Sequence, residues 1–322
     1  MSNFASGYVK YINRLEQIND AALARPQVMI DEVEDGYREH LRNIARNILS
    51  HYGTAKVCML AGPSSSGKTT TAHLLRDYLE ELGLQAEIVS LDDFYLGTAQ
   101  MPLLPSGERD YETVNALDVE MVRQCIRSVI DQGTCMLPAY DFMTSERRLN
   151  ARALDVRENG FVIMEGIHAL NPIFTKDLPA GSAIKLYVSV KQQIKDANGE
   201  VVSPMDLRLI RRIARDVQFR NTSAERTLAM WPNVVAGEDK YIRPYRMSAD
   251  YTVNSIHIYE PCVLRSSVIP LLRSIPEDSP HYRKARDLDA RLMRFEPVDP
   301  DLVPENSMLR EFLGPKGAKR AE

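Results

Sequence analysis

The sequence has few of the features that mark secreted, membrane or fibrous proteins. Its 322 residues include only four cysteines, Cys58, Cys125, Cys135 and Cys262, and none of them form a Cys-x-x-Cys pair. This usage argues against a disulfide scaffold or a zinc knuckle and favours a reducing compartment. No apolar run approaches the length of about eighteen residues that a membrane span needs, and the first twenty residues lack a signal-peptide core. We therefore expect a cytoplasmic protein.

The composition is that of an ordinary folded protein. Hydrophobic residues make up 44% and charged residues 26%, which excludes global disorder. The 16 glycines and 18 prolines are too few for a collagenous or low-complexity chain. A formal net charge of -4 argues against a protein that binds nucleic acid along its whole surface. The length favours two domains, or one large domain with extensions.

Apolar residues follow helical spacing in some segments and strand spacing in others. A stripe at residues 37, 41, 44 and 48 predicts a helix that stops near Gly53, with Pro26 separating it from an earlier helix. Strands are predicted at 57–61, 87–91, 161–164, 184–190 and 249–253, and further helices at 70–82, 118–130 and 205–219. This alternation predicts an α/β fold with a mainly parallel sheet between helices. We divide the chain into a helical N-terminal extension (1–52), a core (53–260) and a C-terminal helical extension (261–322).

A glycine-rich motif follows the first strand of the predicted core. Residues 62–69 read GPSSSGKT, which matches G-x-x-x-x-G-K-[ST] between a strand and a helix. Small residues let backbone N–H groups face phosphate, Lys68 supplies a cation between the β- and γ-phosphates, and the Thr69 hydroxyl suits Mg²⁺. The alternative is a serine-rich turn without a ligand. The predicted nucleotide-binding residues are Gly62, Pro63, Ser64, Ser65, Ser66, Gly67, Lys68, Thr69 and Thr70.

Two acidic residues follow predicted strands of this sheet. Asp92 comes after the strand at 87–91, and Glu165 follows the strand at 161–164. Because the carboxyl ends of parallel strands line the ligand crevice, both should face the phosphate loop. One carboxylate can accept a proton from an attacking hydroxyl, and the other can hold Mg²⁺. The alternative for each is a solvated acid that caps the next helix.

Arginines recur on one face of the helix predicted at 205–219. Arg208, Arg211, Arg212 and Arg215 have three- and four-residue spacing. Like charges on one face repel unless an anion lies opposite, and a triphosphate is such an anion. The pattern predicts a lid whose arginines clamp the transferred phosphoryl group. A solvated basic face is the alternative.

Seven motifs then occur in the order that they have in a known family. They are GPSSSGKTT, SLDDFY, DYETVNALD, PAYDF, IMEGIHAL, RLIRRIARD and YIRPYRMSAD. Over about residues 55–260 the sequence resembles the uridine kinase and phosphoribulokinase family of P-loop kinases, with the uridine–cytidine kinase branch nearest. The resemblance implies a three-layer P-loop NTPase sandwich with helical extensions at both ends. It also implies transfer of phosphate from ATP, with Mg²⁺, to a nucleoside 5′-hydroxyl.

The resemblance also assigns roles to single residues. It makes Asp92 the general base, places Thr69 and Glu165 near Mg²⁺, and makes Arg212 and Arg215 lid arginines that reach phosphate and substrate. The acceptor site would be shaped by Tyr95, Tyr111, Glu112, Tyr140 and Phe142. Glu112 stands where the family has an aspartate that grips the ribose hydroxyls. Near Ser145 the family has a base-contacting histidine, so the preferred nucleoside stays open.

Two other functions fit the same motifs. One is a P-loop kinase of another small alcohol, similar to phosphoribulokinase or pantothenate kinase. The other is a nucleotide-binding regulator that has lost turnover. The expected partner is a small-molecule substrate, with no nucleic acid and no membrane. The family often forms oligomers, which makes the two extensions candidates for assembly without implying a number of copies.

Overall fold

A computed structural model describes residues 13–104, 107–141, 144–157 and 159–317. The strands are β1 (Asn13–Arg14), β2 (Val57–Ala61), β3 (Gln85–Ser90), β4 (Thr134–Asp141), β5 (Glu146–Asp155), β6 (Gly160–Glu165), β7 (Ala183–Ser189), β8 (Ile194–Asp196), β9 (Gly199–Val202) and β10 (Tyr251–Asn254). The helices are α1 (Leu15–Ala24), α2 (Pro26–Ser50), α3 (Lys68–Glu81), α4 (Val119–Gln132), α5 (Pro204–Arg220), α6 (Ala224–Tyr241), α7 (Glu260–Arg273), α8 (Tyr282–Leu292) and α9 (Arg310–Leu313). No helix within these ranges is long and apolar enough to cross a membrane.

Five parallel strands form the central sheet in the order β10-β7-β2-β6-β3. Every residue of β2 and of β6 is buried, as expected for inner strands covered on both faces. On one face, α4 packs its Val122 and Ile126 into a hydrophobic cluster with Val57 and Met59. Side chains of successive strand residues point to opposite faces, so the sheet has a second face to cover. Helix α3 contacts β2, β3 and β6. The structure confirms the predicted α/β class with helices on both sides of a parallel sheet.

The predicted helices and strands of the sheet are all present, with ends that either match or are shifted by one or two residues. The stripe at 37, 41, 44 and 48 is buried along α2, and Pro26 begins that helix. The antiparallel pair β4–β5 was not predicted, because β5 is exposed at nearly every residue and lacks apolar alternation. Helix α6 was also missed, since its Pro232 and Gly237 resemble breaks in a helical pattern.

The chain divides into two compact units, each made of noncontiguous segments. The sheet unit comprises Asp35–Ser189 and Met230–Ser255 and contains the central sheet. The helical unit comprises the chain up to Glu34, Val190–Ala229 and the chain from Ile256 onward. These boundaries do not coincide with the division proposed from sequence at residues 52 and 260.

Candidate active site

The phosphate loop runs from the end of β2 to the start of α3 in the sheet unit. Gly67, with φ +84°, precedes α3 in the left-handed conformation, which glycine adopts without strain. Within the described residues no side-chain hydrogen bond caps this helix at Gly67, and the N–H groups at the start of a helix suit an anion. Lys68 is half-buried and Thr69 is exposed in the first turn. The geometry suits a phosphate chain bound at the N-terminus of α3.

The loop is tightly packed at Gly62 and presents a buried hydroxyl at Ser66. A Cβ atom at Gly62 would lie 2.2 Å from the Val188 carbonyl oxygen and 2.7 Å from Ser66 Oγ, so only glycine fits there. The Ser66 hydroxyl is buried and has no hydrogen-bond partner among the described residues. Buried polar groups are normally paired, so this hydroxyl is suited to a ligand oxygen.

The strand register brings the predicted carboxylates to the same edge of the sheet. Glu165, at the end of β6, pairs with Leu60 of β2 on one side and with Ser90 of β3 on the other. Ser90 Oγ donates to Glu165 Oε1 at 3.2 Å and accepts from the Asp92 backbone N–H at 3.3 Å. Glu165 and Asp92 are therefore tied together through Ser90, beside the strand that leads into the phosphate loop.

Asp92 and Asp93 lie in a 3₁₀ turn, Leu91–Phe94, directly after β3. Burial raises the pKa of Asp93 and the charge of Asp92 raises it further, while the Tyr140 backbone and Arg152 oppose the shift. Asp92 is half-buried, and its charge raises the pKa of Tyr95. The turn thus presents two carboxylates in different surroundings.

Three tyrosines form an aromatic cluster next to this turn. The ring of Tyr95 lies 5.5 Å from the ring of Tyr111 and 5.5 Å from that of Tyr140. Burial raises the pKa of Tyr95 well above its usual range, and the charges of Asp92 and Glu112 raise it further. Both carboxylates therefore lie near the Tyr95 hydroxyl, which donates to the Tyr111 carbonyl at 2.8 Å. Phe142, also predicted for the acceptor site, lies outside the described residues.

An arginine that the sequence did not single out lies beside the same cluster. Arg109 Nη1 donates to Ser145 Oγ at 3.0 Å. Burial alone would raise the pKa of Tyr111, but hydrogen bonds with Tyr140, Arg109 and Ser145 outweigh it and lower that pKa. No motif marks a single arginine in a loop between prolines and glycines, so only the folded chain reveals this contact.

Glu112 is half-buried and lies close to a residue of α6 that is distant in sequence. Its backbone N–H donates to Asp110 Oδ1 at 3.0 Å, and a Cβ atom on Gly237 of α6 would lie only 2.8 Å from Glu112 Cβ. His168, in the loop after β6, packs edge-on against Tyr241 with ring centroids 6.0 Å apart. Burial lowers the pKa of His168 to about 4, with the Glu112 backbone opposing the shift. The position of Glu112 thus depends on α6, which the sequence pattern did not predict.

The arginine-rich helix is α5, and it belongs to the helical unit. Arg211 is fully buried and donates to both carboxylate oxygens of Glu260, at 2.5 and 2.9 Å. The prediction that this residue faces an external anion is therefore wrong, because a carboxylate of the chain neutralises it. Arg212 and Arg215 pair with Asp216 at 3.1 and 3.0 Å. Their role over the phosphates stays a prediction.

The family model described as Phosphoribulokinase / Uridine kinase family matches residues 57–260, more than half of the chain. This chain belongs to the phosphoribulokinase/uridine kinase family. Its site residues from Gly62 to Glu165 all lie inside the matched segment. The chain is accordingly a kinase, a phosphotransferase of the P-loop type, and ATP binding follows from its membership.

The chain is also similar to individual proteins at low sequence identity. The chain is 26% identical over 196 residues to a uridine kinase of Ureaplasma parvum serovar 3, covering 61% of this chain and 86% of the relative. It is 27% identical over 198 residues to a uridine kinase of Lactobacillus johnsonii, covering 60% and 83%. A solved D-glycerate 3-kinase of Cryptococcus neoformans aligns with a TM-score of 0.45 and 17% identity over 63% of this chain and 88% of the other.

Proposed function

We propose that this kinase transfers the γ-phosphate of ATP to the 5′-hydroxyl of a nucleoside. The observation that carries the proposal is the set of contacts in which Ser90 joins Glu165 to the Asp92 backbone. That set lies beside the strand leading into the phosphate loop, and the aromatic cluster adjoins Asp92. An acid near both a phosphate loop and an aromatic cluster supports a kinase over a nucleotide binder without turnover.

In the proposed step, Asp92 accepts the proton of the acceptor hydroxyl as that oxygen bonds to the γ-phosphorus. The bond between the γ-phosphorus and the bridging oxygen breaks, and its electron pair leaves with ADP. Lys68 and the N–H groups at the start of α3 hold the phosphates and offset the charge on the leaving group. Positioning and electrostatics thus account for the catalysis, since phosphoryl transfer needs no covalent intermediate with the protein.

Thr69 and Glu165 are the residues that would hold Mg²⁺. A hydroxyl in the first turn after the loop and a carboxylate at a strand end are oxygen ligands of the kind this ion takes. When bound, the ion would neutralise charge on the phosphate oxygens. Ser90 orients Glu165 through the hydrogen bond at 3.2 Å, so the carboxylate is held before any ligand arrives.

The acceptor would lie against the aromatic cluster. Nucleobases stack on aromatic rings, and a carboxylate such as that of Glu112 can accept hydrogen bonds from two adjacent ribose hydroxyls. We include Arg212 and Arg215 in the proposal as residues that close over the transferring group. A cytoplasmic location and assembly of several copies through the extensions also remain part of the proposal.

An acceptor panel tests this function. The protein would be incubated with ATP, Mg²⁺ and one acceptor at a time, namely uridine, cytidine, ribulose 5-phosphate or pantothenate. ADP release and the phosphorylated product would be measured, with Lys68→Ala as the inactive control. We expect turnover when the acceptor is a nucleoside and none with ribulose 5-phosphate or pantothenate. Turnover with either of the other acceptors would support the second kinase function, and ATP binding without transfer to any acceptor would support a regulator.

A further inference from the structure

Charges of both signs act on the aromatic cluster. Asp92 and Glu112 act on the hydroxyl of Tyr95, which lies on the side of the 3₁₀ turn. Arg109 acts instead on Tyr111 and Tyr140. A ring seated on this cluster would therefore lie near two carboxylates and near the guanidinium that Ser145 holds.

Arg109 is held in place from two directions. Its Nη1 donates to Ser145 Oγ at 3.0 Å, and it also hydrogen-bonds to the Tyr111 hydroxyl. Ser145 has a left-handed backbone, with φ +57°, and its carbonyl accepts from Thr98 Oγ1 at 2.9 Å. The backbone of Arg109 forms an isolated bridge with Leu103, which ties down the loop. The guanidinium is thus presented in one orientation rather than as a free surface side chain.

The guanidinium offers only one kind of hydrogen bond. It has five N–H donors and no acceptor, and Ser145 and Tyr111 use only part of that set. A carbonyl oxygen on a bound ring can accept from the remaining donors. An exocyclic amino group at the same position would set donor against donor, which leaves polar groups unpaired on both sides.

Resting on the proposed nucleoside kinase function, we propose that Arg109 determines acceptor specificity. It selects bases that present a carbonyl oxygen to it over bases that present an amino group. Uracil and cytosine differ in this way at one ring position, so uridine is the preferred acceptor of the pair. The shorter Ser145 then acts as the support of the guanidinium and need not contact the base itself.

The test is the ratio of kcat/KM for uridine to kcat/KM for cytidine. For the unchanged protein we expect a ratio of about 10 or more, the effect of one unmade hydrogen bond to a charged group. In Arg109→Met the ratio should fall toward one, mainly through a higher KM for uridine. Ser145→Ala should lower the ratio less. Arg148→Met, an exposed arginine of β5, is the matched control and should keep the ratio.

The outcomes separate this inference from the function on which it rests. Equal use of uridine and cytidine by the unchanged protein, or an unchanged ratio in Arg109→Met, would overturn the role of Arg109 and leave the nucleoside kinase intact. Failure to phosphorylate either nucleoside would overturn both. If Arg109→Met melts at a much lower temperature, Arg109→Gln serves as the second variant. The glutamine amide offers both a donor and an acceptor. The uridine-to-cytidine ratio of Arg109→Gln should therefore lie between that of the unchanged protein and that of Arg109→Met.

Discussion

Asp92 is the residue on which the proposed chemistry depends most. Asp92→Asn keeps the size of the side chain and removes its capacity to take a proton. We expect turnover to fall by about two to four orders of magnitude, the usual contribution of a general base. ATP affinity, measured by calorimetry, should stay near that of the unchanged protein, since the phosphates bind elsewhere.

The neighbouring carboxylate supplies a matched control for that substitution. Asp93 lies in the same turn, and burial raises the pKa of its carboxyl. Asp93→Asn should alter turnover far less than Asp92→Asn does. Equal loss in both variants, or full activity in Asp92→Asn, would remove Asp92 from the mechanism.

His168 makes the stability of the protein depend on pH. Burial lowers its pKa from 6.5 to about 4, so between these values the unfolded chain binds a proton that the folded chain does not. The contribution to the free energy of unfolding is therefore fully present above pH 6.5. It declines as the pH falls toward 4, by about 3 kcal/mol in all.

His168→Phe should flatten that part of the pH profile. The variant keeps an aromatic ring beside Tyr241 and cannot take up a proton. Urea unfolding of both proteins at several pH values between 4 and 7 provides the measurement. Parallel profiles over this range would show that the histidine is charged or solvated in the folded protein.

At the scale of elements, a hydroxyl chain connects α2 to the start of α3. Thr71 Oγ1 donates to the Gly67 carbonyl at 2.6 Å, so the Tyr37 hydroxyl, 2.6 Å away, is the donor to Thr71. Both hydroxyls are buried. Tyr37 thereby braces the turn of α3 from which the phosphate-binding N–H groups project.

Tyr37→Phe removes that donor and leaves the ring in place. We expect a loss of about 1 kcal/mol in stability, typical of one hydrogen bond, and a KM for ATP raised a few-fold with kcat little changed. Tyr52→Phe is a suitable control. The Tyr52 hydroxyl accepts a hydrogen bond from Lys56 Nζ at 2.8 Å, and neither residue belongs to the phosphate loop. A rise in the KM for the acceptor alone would contradict a role at the phosphate loop.

At the scale of the whole molecule, the chain builds two units from segments that alternate between them. The helical unit draws α5, α7 and α9 from distant parts of the sequence, and α5 contacts both of the others. Between α5 and α7, the ion pair Arg211–Glu260 is fully buried, and Glu260 also accepts from the His257 backbone N–H at 3.3 Å. Removal of either partner alone leaves the other charge buried without a counterion, which lowers the free energy of unfolding.

Arg211→Met should destabilise the protein by about 3–5 kcal/mol, because it leaves the Glu260 carboxylate buried and uncompensated. The double variant Arg211→Met, Glu260→Met should recover much of that loss, since it buries no charge. Denaturant unfolding of the two single variants and the double variant measures the coupling. Additive losses would mean that the two side chains do not depend on each other.

The site divides into residues that the sequence could locate and residues that it could not. The phosphate loop is a contiguous motif, and Asp92 and Glu165 follow strands whose parallel pairing brings their ends together. Arg109 and Gly237 lie outside every motif, His168 lies in one that gives it no role, and each of the three contacts a residue far along the chain. The arginine face of α5 shows the opposite error, because charge spacing cannot tell an external anion from an internal Glu260.

By itself the sequence determined the α/β alternation, the phosphate loop and the family, because these depend on local periodicity and on contiguous residues. Only the tertiary structure decided which charges are neutralised within the chain and which side chains surround Glu112 and the aromatic cluster. It also assigned the segments of the chain to two units. The physical reason is that burial and pairing are properties of contacts between distant residues, and such contacts leave no periodic signal in the order of the amino acids.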